Sequence, residues 1–189
     1  MPSTRIATLC ALIAATTVLP LVACSGYRSS GGQTRAERRD TLIHEANETV
    51  ERFRSNDSSL VKFFDTCVGY AVFPKVTKGA AGVGAAHGRG VLFENGRAVG
   101  FTELTQGTIG LQLGGQTYSE LIFFQHNTVL RNFKNGNLEF QAQASAVAAE
   151  SGAGAAADFE NGVAVFTMTR AGLMFEAAIG GQKFSYTPR

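Results

Sequence analysis

The chain contains no tryptophan, four prolines, three cysteines and three histidines in 189 residues, and only 17% of it is charged. Each shortage closes off a class of protein. Three cysteines cannot build the disulfide framework of a small secreted scaffold. The histidines, at positions 44, 87 and 126, share no metal-ligand spacing, and neither HExxH nor GxSxG occurs. No catalytic residue, metal or cofactor is therefore expected, and the chain reads as a non-enzyme. A formal net charge of +2 argues against nucleic acid, because phosphate binding needs a basic excess. A hydrophobic content of 44% argues against a disordered chain. The length fits one domain. What the chain has in excess is glycine, 22 residues, 19 of them after Val68.

The first 23 residues read as a signal peptide. Arg5 supplies a positive start, and residues 6–19 form an uncharged apolar run, short for a membrane span and suited to a signal core. Leu21-Val22-Ala23-Cys24 resembles the lipobox of bacterial lipoproteins, which predicts cleavage before Cys24 and acylation of its thiol. Ser25 in place of Asp then predicts sorting to the outer membrane, facing either side of it. Residues 24–35, rich in Gly, Ser and Arg, read as a flexible tether, and residues 36–189 as the domain. Cys67 is left alone in an apolar run and reads as a small buried hydrophobe.

Within the domain the hydrophobic period changes once. Leu42, Ile43, Ala46, Val50 and Phe53 recur at helical steps, and Asn56-Asp57-Ser58 breaks that helix and opens a second, short one carrying Leu60, Val61, Phe63 and Phe64. Beyond Val68 the period approaches two. Asn95-Gly96 predicts a hairpin between residues 90–94 and 97–101. Residues 108–113 and 118–125 are expected to pair across Gly114-Gly115-Gln116. Asn127 is expected to cap a short helix stopped by Gly136, with Arg131 and Lys134 complementing its dipole. Residues 138–144 alternate as a strand, 152–157 read as a loop, and Asn161-Gly162 opens a strand at 163–169. A further strand is expected at 172–179, with residues 184–186 adding an edge. Helices followed by antiparallel strands define an α+β domain. So many glycines inside strands predict helices packed on a strongly curled, glycine-rich antiparallel sheet or small barrel.

The glycine run from Gly79 to Gly90 does not fit a nucleotide loop. Counting from Gly82, the sixth position is His87 rather than Gly, a hairpin follows instead of a helix, and no Gly-Lys-Ser/Thr is present. Together with Gly69-Tyr70-Ala71-Val72-Phe73-Pro74-Lys75-Val76-Thr77-Lys78-Gly79, the run resembles the opening motif of the SYLF domain family. Gly107-Thr108-Ile109-Gly110-Leu111-Gln112-Leu113-Gly114-Gly115-Gln116 resembles its central signature, and Arg170-Ala171-Gly172-Leu173-Met174 its closing element. The resemblance implies a lipid-binding domain: eukaryotic members bind membrane lipids, notably phosphoinositides, and yeast actin-patch members also bind actin, whereas bacterial members are commonly envelope lipoproteins. Val99-Gly100-Phe101 departs from the Trp-containing eukaryotic pattern, and a lipobox stands where that pattern has a basic leader. What carries over is general phospholipid contact, with actin not expected. Lys75, Lys78, Arg89 and Arg97 are the candidate head-group cations, each worth about 1 kcal/mol near an anionic surface. The same four residues also read as ordinary surface charge. The rival reading is an envelope protein-interaction or stress-associated module in which only the acyl anchor touches membrane.

Overall fold

The computed structural model describes residues 33–81, 83–109, 114–138, 145–148, 152–169, 177–178 and 181–189. The expected signal peptide, Cys24 and most of the tether lie outside these residues, as do most of the expected strand at 138–144 and the closing family element at 170–174.

Helix α1, Arg35–Asn56, starts at a reciprocal cap. The Thr34 hydroxyl accepts from the Glu37 N–H at 3.2 Å, and the Glu37 carboxylate accepts from the Thr34 N–H at 2.7 Å. The helix thus begins inside the segment read as tether. Asp57 ends it and caps a single 3₁₀ turn, Ser58–Leu60, that leads into α2, Val61–Thr66. Cys67 closes α2 and is half-buried, two residues before the first strand.

The strands are β1 Gly69–Ala81, β2 Val83–Glu94, β3 Arg97–Ile109, β4 Gly114–Phe124, β5 Ser145–Ala148, β6 Val163–Thr169, β7 Ala177–Ala178 and β8 Gln182–Pro188. Their order is β7-β5-β6-β4-β1-β2-β3-β8. The six from β6 to β8 are antiparallel, and β5 joins β6 in parallel. This is an α+β fold. The sheet ends in β7 on one side and β8 on the other, so it is open and not the small barrel offered as one expected form.

The β2–β3 hairpin turns on Asn95-Gly96, whose φ angles of 50° and 72° suit the twist of the flanking strands. Asn161-Gly162 makes the same turn into β6. Among the described residues β3 and β4 do not pair, and residues 110–113 of the expected first strand lie outside them. β1 takes β2 on one side and β4 on the other, so two strands stand between β3 and β4 in the sheet order. Helix α3, Asn127–Lys134, is capped by His126 rather than by Asn127, and residues read as loop hold a four-residue helix α4, Ala153–Ala156.

Both sheet faces are covered. On one, Ala46, Val50 and Phe53 of α1, with Leu60 and Phe63, bury Val72, Val91, Phe93, Leu121, Phe123 and Phe166. Phe63 stacks on Phe123 at 5.5 Å and meets Phe166 edge-on at 5.0 Å. On the other, Leu130 and Phe133 of α3 pack with Phe73, Val76, Leu104, Ile122, Phe124 and Phe184. That second face is concave. Glu120 on β4 and Gln182 on β8 are four strand spacings apart, about 19 Å in a flat sheet. Even so, the Gln182 amide donates to the Glu120 carboxyl at 3.0 Å. Gly90 serves this curvature, since a Cβ there would lie 2.5 Å from the Val72 carbonyl and 2.7 Å from the Phe73 ring.

Candidate functional site

One proline positions the site. Pro74 has no N–H to give a ladder, and in this central strand it sits in a bulge where the register slips against both β2 and β4. The extra residue reverses the alternation. Before the bulge Val72 faces α1 and Phe73 the concave core; after it Lys75 and Thr77 face the α1 side, and Val76 enters the concave core. Without the bulge, Val76 would point toward α1 and the Lys75 ammonium into apolar packing. The Ser119 hydroxyl holds the bulge by donating to the Pro74 carbonyl at 2.8 Å.

The α1 side of the sheet therefore changes character along the strands. Under the second half of α1 it is aromatic and sealed. Under the first half it carries the rows Lys75–Arg89–Glu103–Ser185 and Thr77–His87–Thr105–Lys183. Two cavities open there. One, about 690 Å³, lies between α1 and β1–β2 and includes Arg38, Leu42, Glu45, Lys75, His87 and Arg89 in its walls. The other, about 370 Å³, lies between α1 and β3–β8 and is walled by Arg35, Arg38, Arg39 and Arg89 with Phe101, Glu103, Ser185 and Thr187. Arg38, Leu42 and Arg89 line both, so the two adjoin. Five permanent cations face two carboxylates.

The cations are held loosely. Arg89 Nε lies 3.9 Å from Glu103 Oε1, both side chains about half exposed, which is worth little in water. The Arg39 guanidinium rests 4.6 Å over the Phe101 ring. Arg38 donates to the Gln33 carbonyl. Of the two acids adjacent to these arginines in sequence, Glu37 and Asp40, Glu37 is engaged in the cap, where the Thr34 N–H and hydroxyl hold its carboxyl below the usual range.

Of the four cations expected from sequence, the structure brings Lys75 and Arg89 together as direct cross-strand neighbours. Lys78 pairs with Ala86 in the alternate row, so it belongs to the opposite face. Arg97 stands beside Glu94 at the hairpin, about 17 Å along β2 from Arg89. The sequence reading missed Arg35, Arg38 and Arg39. Their signal was visible: three arginines within the first five residues of a helix oppose its dipole and have no local reason to be there. Cys67 does not suit nucleophilic work, because burial pushes its thiol up to about 11.

The fold and this site define an α+β domain with an open, curved sheet and a cationic groove beneath its first helix. Residues 105–187, from the end of β3 into β8, match the family model described as Ysc84, Las17-binding protein actin regulator. That segment, rather less than half of the chain, is similar to the SYLF, or Ysc84, family. The central signature and the closing element lie in the match; the opening motif and most groove residues precede it. No curated protein matches the chain.

Proposed function

We propose that this chain is an outer-membrane lipoprotein, anchored through an acylated Cys24, whose non-catalytic SYLF domain binds anionic phospholipid head groups at the groove beneath α1. The observation that carries this reading is the convergence of Arg35, Arg38 and Arg39 from one element with Lys75 and Arg89 from two others on one open, water-accessible site. Arginine and lysine there are nearly free of strong partners, so their charge is available to phosphate oxygens. Each cation near an anionic surface contributes about 1 kcal/mol.

Flotation of the mature chain, residues 24–189 with Cys24→Ser and without the apolar signal segment, tests the domain's own contact. It is expected to rise with vesicles of phosphatidylglycerol at low salt and to stay behind with phosphatidylcholine alone. Arg38→Glu with Arg89→Glu should weaken flotation at least about tenfold. Equal flotation of the charge-reversed chain would sink the reading. The family's description as Las17-binding names a protein partner, which favours the second reading: a protein-interaction module whose acyl chains alone reach the membrane. One protein recovered at stoichiometric yield from crosslinked envelopes, with no vesicle binding by the Cys24→Ser chain, is the result that reading predicts.

A further inference from the structure

The two cavities beneath α1 differ in chemistry although they share a wall. The smaller is arginine-rich, with the hydroxyl-bearing Ser185 and Thr187 opposite. The larger runs away from it past Leu42, Pro74, Thr77 and His87 to Gly79 and Ala85, and most of the surface it exposes is carbon although Glu45, Lys75, Thr77 and His87 stand in its walls. Gly79 pairs with Ala85, and Ala85 with Gly107, so the sheet carries three small residues in a row there. A Cβ on Gly79 or on Gly107 would meet nothing within 4 Å. The floor is thus low where a side chain could have filled it. At about 690 Å³ the larger cavity lies in the range of pockets that enclose a small ligand. A flat contact between a domain and a bilayer surface needs the cations alone; it does not need an apolar trough leading away from them.

We propose that the groove takes one anionic amphiphile at a time, its phosphate between Arg38 and Arg89 and its acyl chain lying along Leu42, Pro74, Gly79 and Ala85. This rests on the cationic site proposed above and adds that the ligand is a single chain-bearing molecule withdrawn from the bilayer rather than a bilayer surface. Charge complementarity places the head, since five cations surround the shared wall against Glu45 and Glu103. The apolar lining places the tail, because a chain laid there is removed from water at about 25 cal/mol per Å².

Calorimetric titration of the mature chain, residues 24–189 with Cys24→Ser, with monododecyl phosphate, below the concentration at which it forms micelles, tests this. Inorganic phosphate, which has the head without the tail, is expected to bind at least about tenfold more weakly, and dodecanol, which has the tail without the charge, likewise. Gly79→Leu places a side chain in the trough and should weaken monododecyl phosphate at least about tenfold while leaving the weaker binding of inorganic phosphate, which has no tail, unchanged. Ala85→Leu, on the neighbouring strand, is expected to do the same and guards against a folding defect in the first variant. If both variants bind monododecyl phosphate like the parent chain, or if inorganic phosphate binds as tightly, the single-amphiphile site is wrong. Loss of vesicle flotation by the parent chain itself would instead overturn the membrane reading and leave the titration to stand separately.

Discussion

Glu120 is a carboxyl group with no exposure, and its one hydrogen-bond partner among the described residues is an uncharged amide, that of Gln182. Burial pushes its pKa from 4.5 up to about 8, against the smaller pull of the Gln182 donor. The unfolded chain ionises near 4.5, so the fold binds the proton more tightly than the unfolded state does. Its stabilising contribution is complete below about 4.5 and is lost as pH rises toward about 8. Denaturant midpoints between pH 5 and pH 9 should therefore fall for the parent chain, and Glu120→Gln should flatten most of that slope and be the more stable of the two at pH 9. Parallel slopes would show that Glu120 is not the group responsible. Asp57 is the opposite case. Burial opposes its ionisation, but hydrogen bonds from the Ser59 hydroxyl and from the N–H groups of Gly154, Ser59 and Gly152 outweigh it and lower the pKa from 3.8. The stability it supplies is present above pH 3.8 and lost as the pH falls through the lowered value. Asp57→Ala removes the tie between the end of α1 and the start of α4, and is expected to cost about 2–3 kcal/mol in equilibrium unfolding at pH 7.

At the scale of elements, the bulge at Pro74 and the cap at Thr34 decide what the groove contains. Deleting Pro74 removes the extra residue, and unbroken alternation then keeps Lys75 on the α1 side and Val76 in the concave core. Such a chain should keep most of its stability, whereas deleting Thr77 leaves the bulge in place, turns over every later residue of β1 and should abolish folding or most of the stability. Circular dichroism melts of the two variants separate these outcomes, and similar melts would refute the account of the bulge. Much at this scale could be read from sequence, because the signals are local. The helical spacing of Ala46, Val50 and Phe53, the break at Asp57 and the Asn95-Gly96 turn each act within a few residues. The pairing of β4 with β1 could not be read this way. Chain neighbours 108–113 and 118–125 look like a hairpin, and only the long-range competition for β1 excludes it. The bulge was equally hidden, since a single proline in an apolar strand does not announce which residues it will turn over.

At the scale of the whole molecule, curvature joins what the strand order separates. The concave face brings β8 to β4 through Gln182 and Glu120, and the opposite face leaves room beneath the first half of α1. The glycine excess pointed to bent backbone, and Gly90 shows one reason, a close approach that no side chain would survive. The site was only half legible. Lys75 and Arg89 could be named because they sit near the glycine run, but their union with Arg35, Arg38 and Arg39 depends on where α1 lies across the sheet. If those cations meet phospholipid, vesicle binding should fall steeply with salt as the Debye length shrinks from about 10 Å at 0.1 M to about 3 Å at 1 M. The most direct measurement is photocrosslinking of the mature Cys24→Ser chain to vesicles that contain a phosphatidylglycerol with a photoreactive group near its phosphate, followed by mass-spectrometric mapping of the adducts. Adducts concentrated on residues 35–42, 75–77 and 87–89 are the predicted result. Adducts confined to α3 or to the Asn95-Gly96 hairpin, with the groove unlabelled, would contradict the assignment of the head-group site.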